Sequence, residues 1–421
     1  MGTTGDWSGL PEDLLLIAMA AMEVPDVVRS GYVCSAWRSA YATFRRLRLP
    51  TRPNQPPCLL YPRVDADGTG SALLYSPFTN TTLRLPPIHS AVGSANGWIF
   101  TTDEAPNPYL VNPVTGARVA LPPITALERV KNSFLDGEGN TVYDVDFAWK
   151  GGPDMQHVTA QKARDWVYRR VAISGAGTAA CIVLLVHMPH GELSFTRPGD
   201  ERWTPVPDPI RWIPGAFDSV AHDDEKSGLF YVLRSTGDVL ALDLSVASPV
   251  TRHVTITSGN HAPKDTDYLI PTPCDRSLLL VRRQLVRSVE FPEEEEDKSS
   301  DGCDTDRRRS NSATTRIYME KIWLDSPRPS RIETAEGVGD NALFLGSNSP
   351  MCFPVAGYPM LKPNCAYLVD DCEQLTMPVT RRDFGIWDFG SGSLHKLVDV
   401  WPSLPPWSDT SIPIWITPSL H

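Results

Sequence analysis

The chain has 421 residues, beyond the roughly 250 to 300 at which a single hydrophobic core stops growing, so more than one structural unit is expected. Its 39 Lys and Arg against 50 Asp and Glu give a net charge of −11, which argues against binding a phosphate backbone with the surface at large; no nucleic-acid partner is expected, and 39 prolines with 29 glycines favour many short segments separated by turns. Eight cysteines without a closely spaced pair read as reduced, mostly packed thiols.

Residues 8 to 46 read as helical. Ser8 is placed to cap, Pro11 suits a first helical position, and Glu12 and Asp13 complement the positive end of the helix. Leu14, Ile17, Ala18 and Ala21 fall at i, i+3, i+4 and i+7 as one apolar stripe, which Leu15 and Leu16 widen. The uninterrupted apolar run Leu14 to Met22 is nine residues, about half of the roughly 20 needed to span a bilayer. No membrane span is expected, and acids instead of cations precede the run, unlike a signal peptide. A cytosolic or nuclear protein is the expectation. Pro25-Asp26 opens a second short helix, and Gly31 permits a turn into a third over Val33 to Phe44, with Val33, Trp37, Ala40, Tyr41 and Phe44 at helical spacing. Three helices in some forty residues cannot bury that much apolar surface alone, which implies a partner surface.

From about residue 57 the pattern becomes that of strands. Leu73 to Ile88, with Pro77 in its turn, is echoed by Tyr109 to Ile124, with Pro113, at an offset of 36. Each copy is a strand, a Pro-led turn, a second strand and a Leu-Pro-Pro stop, and a fixed offset of this size marks repeat architecture. Degenerate copies follow at Leu193 to Trp203, Leu229 to Leu244 and Phe384 to Leu397. Short antiparallel units of this kind become stable when stacked radially, so a β-propeller of about six or seven blades is predicted, with a sandwich pair as the other solution. The acidic and basic run within 292–314 lacks the apolar content to offset ordering entropy and reads as a disordered insertion, with Arg307 to Arg309 a weak nuclear signal or a solvated loop and Ser310 a phosphorylation candidate.

Catalytic signatures are absent: no metalloprotease, nucleophile-elbow or phosphate-loop motif occurs, so no catalytic residue, cofactor or metal site is expected. Gly175 to Ala180 imitates a dinucleotide fingerprint, but the residues from Cys181 to Val186 read as a strand where a helix is required. Cys181, His187 and His190 lack a second closely spaced pair that would complete a tetrahedral metal site. Asp370, Asp371 and Glu373, beside Cys365 and Cys372, read as turn acids. Trp98, Trp203, Trp323 and Trp387 lie in strand-like runs and read as blade core, whereas Trp401, Trp407 and Trp415 are candidates for exposed partner anchors.

Trp7-Ser8-Gly9-Leu10-Pro11-Glu12-Asp13-Leu14-Leu15-Leu16-Ile17, followed by Val33-Cys34-Ser35-Ala36-Trp37-Arg38, resembles an F-box. The remainder resembles plant F-box proteins with a KIB-like C-terminal β-propeller. The residues that carry this are Ala342 to Asn348, Cys365 to Asp371, Gly385 to Asp388 and Pro413 to Leu420. The resemblance implies a three-helix F-box over 5–48, a linker over 49–56 and a propeller over 57–421. It further implies a non-catalytic substrate-recognition subunit of an SCF-type ubiquitin ligase. The F-box would dock a SKP-type adaptor and through it cullin, with Leu10, Pro11, Leu14, Ile17, Val33, Cys34, Trp37 and Arg38 facing the adaptor, while the propeller binds an unnamed target protein. The other reading, from a different class, is an adaptor-independent module that binds and inhibits a partner such as a kinase.

Overall fold

The computed structural model describes residues 9–64, 70–88, 91–148, 154–175, 177–178, 180–207, 216–224, 226–257, 266–273, 275–290, 309–324, 332–369, 371, 379–381, 384–396 and 413–421. Three helices come first: α1 Glu12–Ala20, α2 Val24–Ser30 and α3 Ser35–Arg46. Pro11 occupies the capping position ahead of α1, one residue before the first turn, whose two acids face the unpaired N–H groups there. Ser8 lies outside the described residues.

Among the described residues the regular structure that follows is strand in seven sheets, with one further short α-helix and one turn of 3-10 helix, Ile124–Ala126. Sheet 1 is ordered Ile414–Ile416, Cys58–Val64, Gly70–Ser76, Thr81–Leu85. Sheet 2 holds Ala91–Ala95, Trp98–Thr102, Pro108–Val111 and Arg118–Ala120, and sheet 3 holds Val130–Leu135, Thr141–Asp146 and Met155–Thr159. Sheet 4 holds Tyr168–Ser174, Ile182–His187, Glu192–Thr196 and Thr204–Pro205, and sheet 5 holds Phe217–His222, Phe230–Arg234, Asp238–Asp243 and Val250–Ile256. Sheet 6 runs Thr266–Pro271, Ser277–Glu290, Arg309–Trp323, Ile332–Thr334, with Val379–Arg381 alongside its third strand. Sheet 7 runs Met351–Pro354, Asn341–Leu345, Cys365–Leu368, Gly385–Asp388, Ser393–Lys396. The 36-residue echo corresponds to the outer hairpins of sheets 1 and 2, and the degenerate copies to hairpins of sheets 4, 5 and 7.

The edge strands Ile414–Ile416, Ala91–Ala95, Tyr168–Ser174, Phe217–His222, Thr266–Pro271 and Met351–Pro354 touch one another in that succession. Thr417 Oγ1 closes the circle by donating to Met351 Sδ at 3.4 Å. Sheet 3 supplies no edge to this circle, because Ala91–Ala95 of sheet 2 lies directly on Tyr168–Ser174 of sheet 4. Gly93, at φ 73°, makes that approach possible: a Cβ there would stand 2.7 Å from Val171. Seven sheets are therefore arranged as six around the axis and one outside it. Sheet 3 fills the wedge between sheets 2 and 4 through Tyr143, Val145 and Val158, in one core cluster with Trp98, Phe100 and Val171. The fourth helix, α4 Ala160–Trp166, leaves sheet 3 and is capped by Thr159, whose hydroxyl accepts the Lys162 N–H; Trp166 stacks on Phe147 at 4.9 Å. The sequence reading contains no such helix.

Three local readings need correction. Residues 309–314, assigned to a disordered insertion, belong to the strand Arg309–Trp323, and Ser310 pairs there with Val289. Cross-strand pairing to a partner of matching length orders a stretch whose composition alone argues for disorder. The remaining residues of that insertion, 292–308, lie outside the described residues. Trp415, a candidate exposed anchor, is fully buried in the closing strand and packs edge-on against Phe344; Trp401 and Trp407 lie outside the described residues. Asp371, read as a turn acid, is buried near the axis. It accepts from Arg170 Nη2 at 2.8 Å and from the Tyr268 hydroxyl at 2.9 Å, with Arg283 Nη1 at 3.5 Å. Asp370, Cys372 and Glu373 lie outside the described residues. After Gly175, Gly177, Thr178 and Ala180 the chain enters the strand Ile182–His187, paired with Tyr168–Ser174, where a phosphate-binding site would need a helix start.

Asp371→Asn leaves two guanidinium groups buried without their carboxylate, and removing one partner of a buried pair costs about 3 to 5 kcal/mol, to be read as a fall in the urea midpoint. His187 is enclosed, with Nδ1 3.3 Å from the Met188 carbonyl and Nε2 3.0 Å from the Ser194 hydroxyl, an arrangement that suits the neutral ring: one nitrogen donates and the other accepts. Burial holds its pKa below the ordinary value of 6.5. Protons then bind the unfolded chain first, so this group's share of stability is present above about pH 6.5 and is lost as pH falls below it. Urea titrations at pH 8 and pH 5.5 check this, with His187→Gln expected to flatten the decline.

Candidate partner-docking surface

The helical trio builds its own core from Leu15 and Met19 of α1, Val24, Val27 and Val28 of α2, and Trp37, Ala40 and Phe44 of α3. In α1 the inward pair is Leu15 and Met19, at i and i+4. The stripe identified from the sequence therefore points the other way: Leu14 is 45% exposed and Ile17 66%. An α1 that is apolar on both sides has one face more than its own core uses. The turn ahead of α3 adds Tyr32 at 74% and Val33 at 65%. Tyr32 was not among the residues singled out from the sequence, although its position beside Val33 after the Gly31 turn is the signal that would have marked it.

Of the eight residues assigned to adaptor contact, Pro11, Leu14, Ile17, Val33 and Arg38 are exposed, and Leu10 and Cys34 are half-buried against the trio. Trp37 is different. At 8% exposure it belongs to the core, one turn before Ala40, and acts on the surface only through the helices it holds together. Single apolar side chains in water are ordinary; here two pairs of large ones stay exposed on a unit that already owns a core.

The propeller covers another part of the trio. Leu83, Val114 and Leu420 pack into the same cluster as Leu15 and Phe44. Residues 49–56 are held and not a free tether. Gln55 is buried, accepts the Val24 N–H that opens α2 at 2.9 Å, and donates to the Arg52 carbonyl at 2.7 Å. Arg52 lies over the Tyr358 ring at 4.8 Å, and the Tyr358 hydroxyl donates to the Asn54 carbonyl. On the far side residues 417–421 form a strap. The Asn112 amide donates to the Ser419 carbonyl at 3.0 Å, Trp98 Nε1 donates to the His421 carbonyl at 3.3 Å, and His421 Nε2 lies 3.2 Å from the Leu49 carbonyl. Glu23 sits in this junction, 3.5 Å from the Ser76 hydroxyl that donates to it; burial, and then the neighbouring Asp26, push its carboxyl above the usual range. The helices thus have a fixed orientation on sheets 1 and 2, with Leu14, Ile17, Tyr32 and Val33 left uncovered.

Among the described residues, no group of three or more His, Cys, Asp and Glu side chains is placed to hold a metal ion, and no helix is long and apolar enough to cross a membrane. Cys181 is buried at the start of a strand, and His187 is tied to Ser194.

The chain is similar to the following known proteins. An Arabidopsis thaliana F-box protein, At2g05970, is 28% identical over 125 residues, 28% of this chain and 32% of its own length. The putative F-box protein At4g22180 of the same plant is 22% identical over 220 residues, 49% of this chain and 48% of its own length. The chain thus spans about half or less of the length of these relatives. Among solved structures, the WD40 domain of SCAP from fission yeast is 9% identical, covers 68% of this chain and 74% of that one, and overlays with a TM-score of 0.29. Residues 74–388 match the family model described as the KIB1-4 beta-propeller, three quarters of the chain, and the chain belongs to that family.

Proposed function

We propose that the chain is the substrate-recognition subunit of an SCF-type ubiquitin ligase. Helices α1–α3 dock a SKP-type adaptor, and through it cullin, while the propeller holds a target protein. The carrying observation is the surplus apolar surface of the trio: Leu14, Ile17, Tyr32 and Val33 stay exposed after both the trio's own core and the propeller have been covered. The F-box names of the plant relatives support the same reading. Such a subunit works by placement. It raises the effective concentration of a target lysine near a charged ubiquitin carrier and needs no nucleophile of its own. The fixed junction at Gln55, Arg52 and Leu420 suits that work, because a rigid link preserves the distance between adaptor and target.

The rigid junction also decides how the proposal is tested. A chain begun near residue 55 would uncover Leu83, Val114 and Leu420, so point variants of the full chain are the sharper tool. Leu14→Asp with Val33→Asp changes two exposed positions and leaves the core intact. Truncated hot-spot anchors cost about 2 kcal/mol each, so co-purification of a SKP-type adaptor is expected to weaken about a hundredfold or more while the melting temperature stays put. Adaptor capture unchanged in that variant would leave the adaptor-independent inhibitor module as the reading to pursue. Trp37→Ala behaves in the opposite manner: it opens a core cavity and loses about 3 to 5 kcal/mol of stability, visible as a lowered unfolding midpoint with or without adaptor.

A further inference from the structure

Sheet 3 stands outside the ring, and its edge strand Val130–Leu135 pairs on one side with Thr141–Asp146. Among the described residues no strand pairs with its other side. Lys131 to Leu135 are exposed without interruption, Leu135 at 67% and Phe134 at 37%. The hairpin fixes which backbone groups face out. In an antiparallel strand the N–H and C=O of one residue point to the same side, and the sides alternate along the chain. The Asp136 N–H donates to the Asn140 carbonyl at 2.9 Å, so Asp136, Phe134 and Asn132 face the inner strand while Ser133 and Leu135 face away from it. The bulge between Val130 and Asn132 lies before this stretch. Phe134 projects from the outer face of the sheet, where the His157 ring meets it edge-on at 5.3 Å.

We propose that this edge pairs antiparallel with the same edge of a second copy of the chain, about a two-fold axis at Phe134. The strand is self-complementary in that register. Ser133 lies opposite Leu135 of the second copy and Leu135 opposite its Ser133, so the outward N–H and C=O groups of both copies are matched in four hydrogen bonds. Phe134 meets its own counterpart at the position between those bonds, where facing side chains come closest. The charges agree as well. Asn132 comes opposite Asp136, and Lys131, which within its own chain donates to the Glu128 carbonyl at 2.8 Å, comes opposite Gly137, between Asp136 and the exposed Glu138. Centring the axis one residue earlier would set Lys131 against Leu135 and Asn132 against Phe134, and both matches would be lost. A lysine on an edge strand ordinarily discourages pairing, and in this register the two acids answer it. The helical trio packs on sheets 1 and 2, so the inference stands whether or not the ubiquitin-ligase reading holds.

The test is sedimentation equilibrium of the full chain, in which a reversible monomer–dimer equilibrium is expected. Ser133→Pro removes an N–H that the hairpin itself does not use, and should weaken the dimer about tenfold. Lys131→Glu, at an exposed position, should weaken it by about as much, and adding Glu138→Lys exchanges the two charges and restores it. Leu14→Asp with Val33→Asp should leave the equilibrium unchanged, which separates this edge from association through the helices. A chain still monomeric at about 0.3 mM overturns the proposal. So does a dimer equally tight in Ser133→Pro or Lys131→Glu, one that the charge exchange fails to restore, or one lost with Leu14→Asp and Val33→Asp.

Discussion

Three residues near one end of the chain hold the rest in place. Ile414–Ile416 pairs with Cys58 to Leu60, so the first sheet of the propeller is built from segments more than 350 positions apart. A propeller left open would expose the free edge of its first strand and the hydrophobic faces of its first and last sheets. Closure instead buries Trp415 against Phe344 and Tyr367, which come from the neighbouring sheet 7. The same stretch continues as the strap of residues 417–421 that clasps the helices onto sheets 1 and 2. Ring closure is thus the consequence of one β-pairing, and the strap that continues from it joins Gln55, Arg52, Leu83 and Val114 in orienting the helices.

The axis is filled, and partly with charge. The loop Gly346 to Ser349 reaches across it: the Gly93 N–H donates to the Ser347 carbonyl at 2.7 Å, and the Ser349 hydroxyl donates to the Val171 carbonyl at 3.2 Å. Close by, Asp371 draws Arg170 of sheet 4 and Arg283 of sheet 6 together, and Arg283 also donates to the Thr314 hydroxyl at 2.8 Å. A buried ion pair is weak evidence for net stability, since desolvation opposes the attraction. Its value here is geometric: Asp371, which follows the sheet 7 strand Cys365–Leu368, accepts from Arg170 of sheet 4 and Tyr268 of sheet 6 and so ties the three sheets at one point. The Ala342 to Asn348 segment, which first entered as a carrier of family resemblance, has this structural task of bridging the axis.

Much of the architecture was legible from residues. The change from helical to alternating periodicity near residue 57, the hairpins of the 36-residue echo and the strand after Gly175 to Ala180 all depend on local patterns, and local patterns survive in any fold that contains them. The exposed apolar side of the helices was half legible. Leu14, Ile17 and Val33 were singled out and are exposed, but Trp37 was placed with them and is core, because an apolar residue at helical spacing does not state which of two apolar faces it joins. The short helix α4 escaped notice because seven residues carry too little periodicity to register.

What the sequence determined by itself is the order of the parts: three helices with more apolar surface than their own core uses, then repeated antiparallel hairpins. What the tertiary structure decided is where each ambiguous residue went. Asp371 became an interior hub instead of a turn acid, Trp415 a closing wedge instead of an exposed anchor, and sheet 3 took a place outside the ring. The physical reason is that periodicity reports which residues share a face, whereas burial depends on what that face meets. In a ring closed by its distant ends, that neighbour comes from another part of the chain.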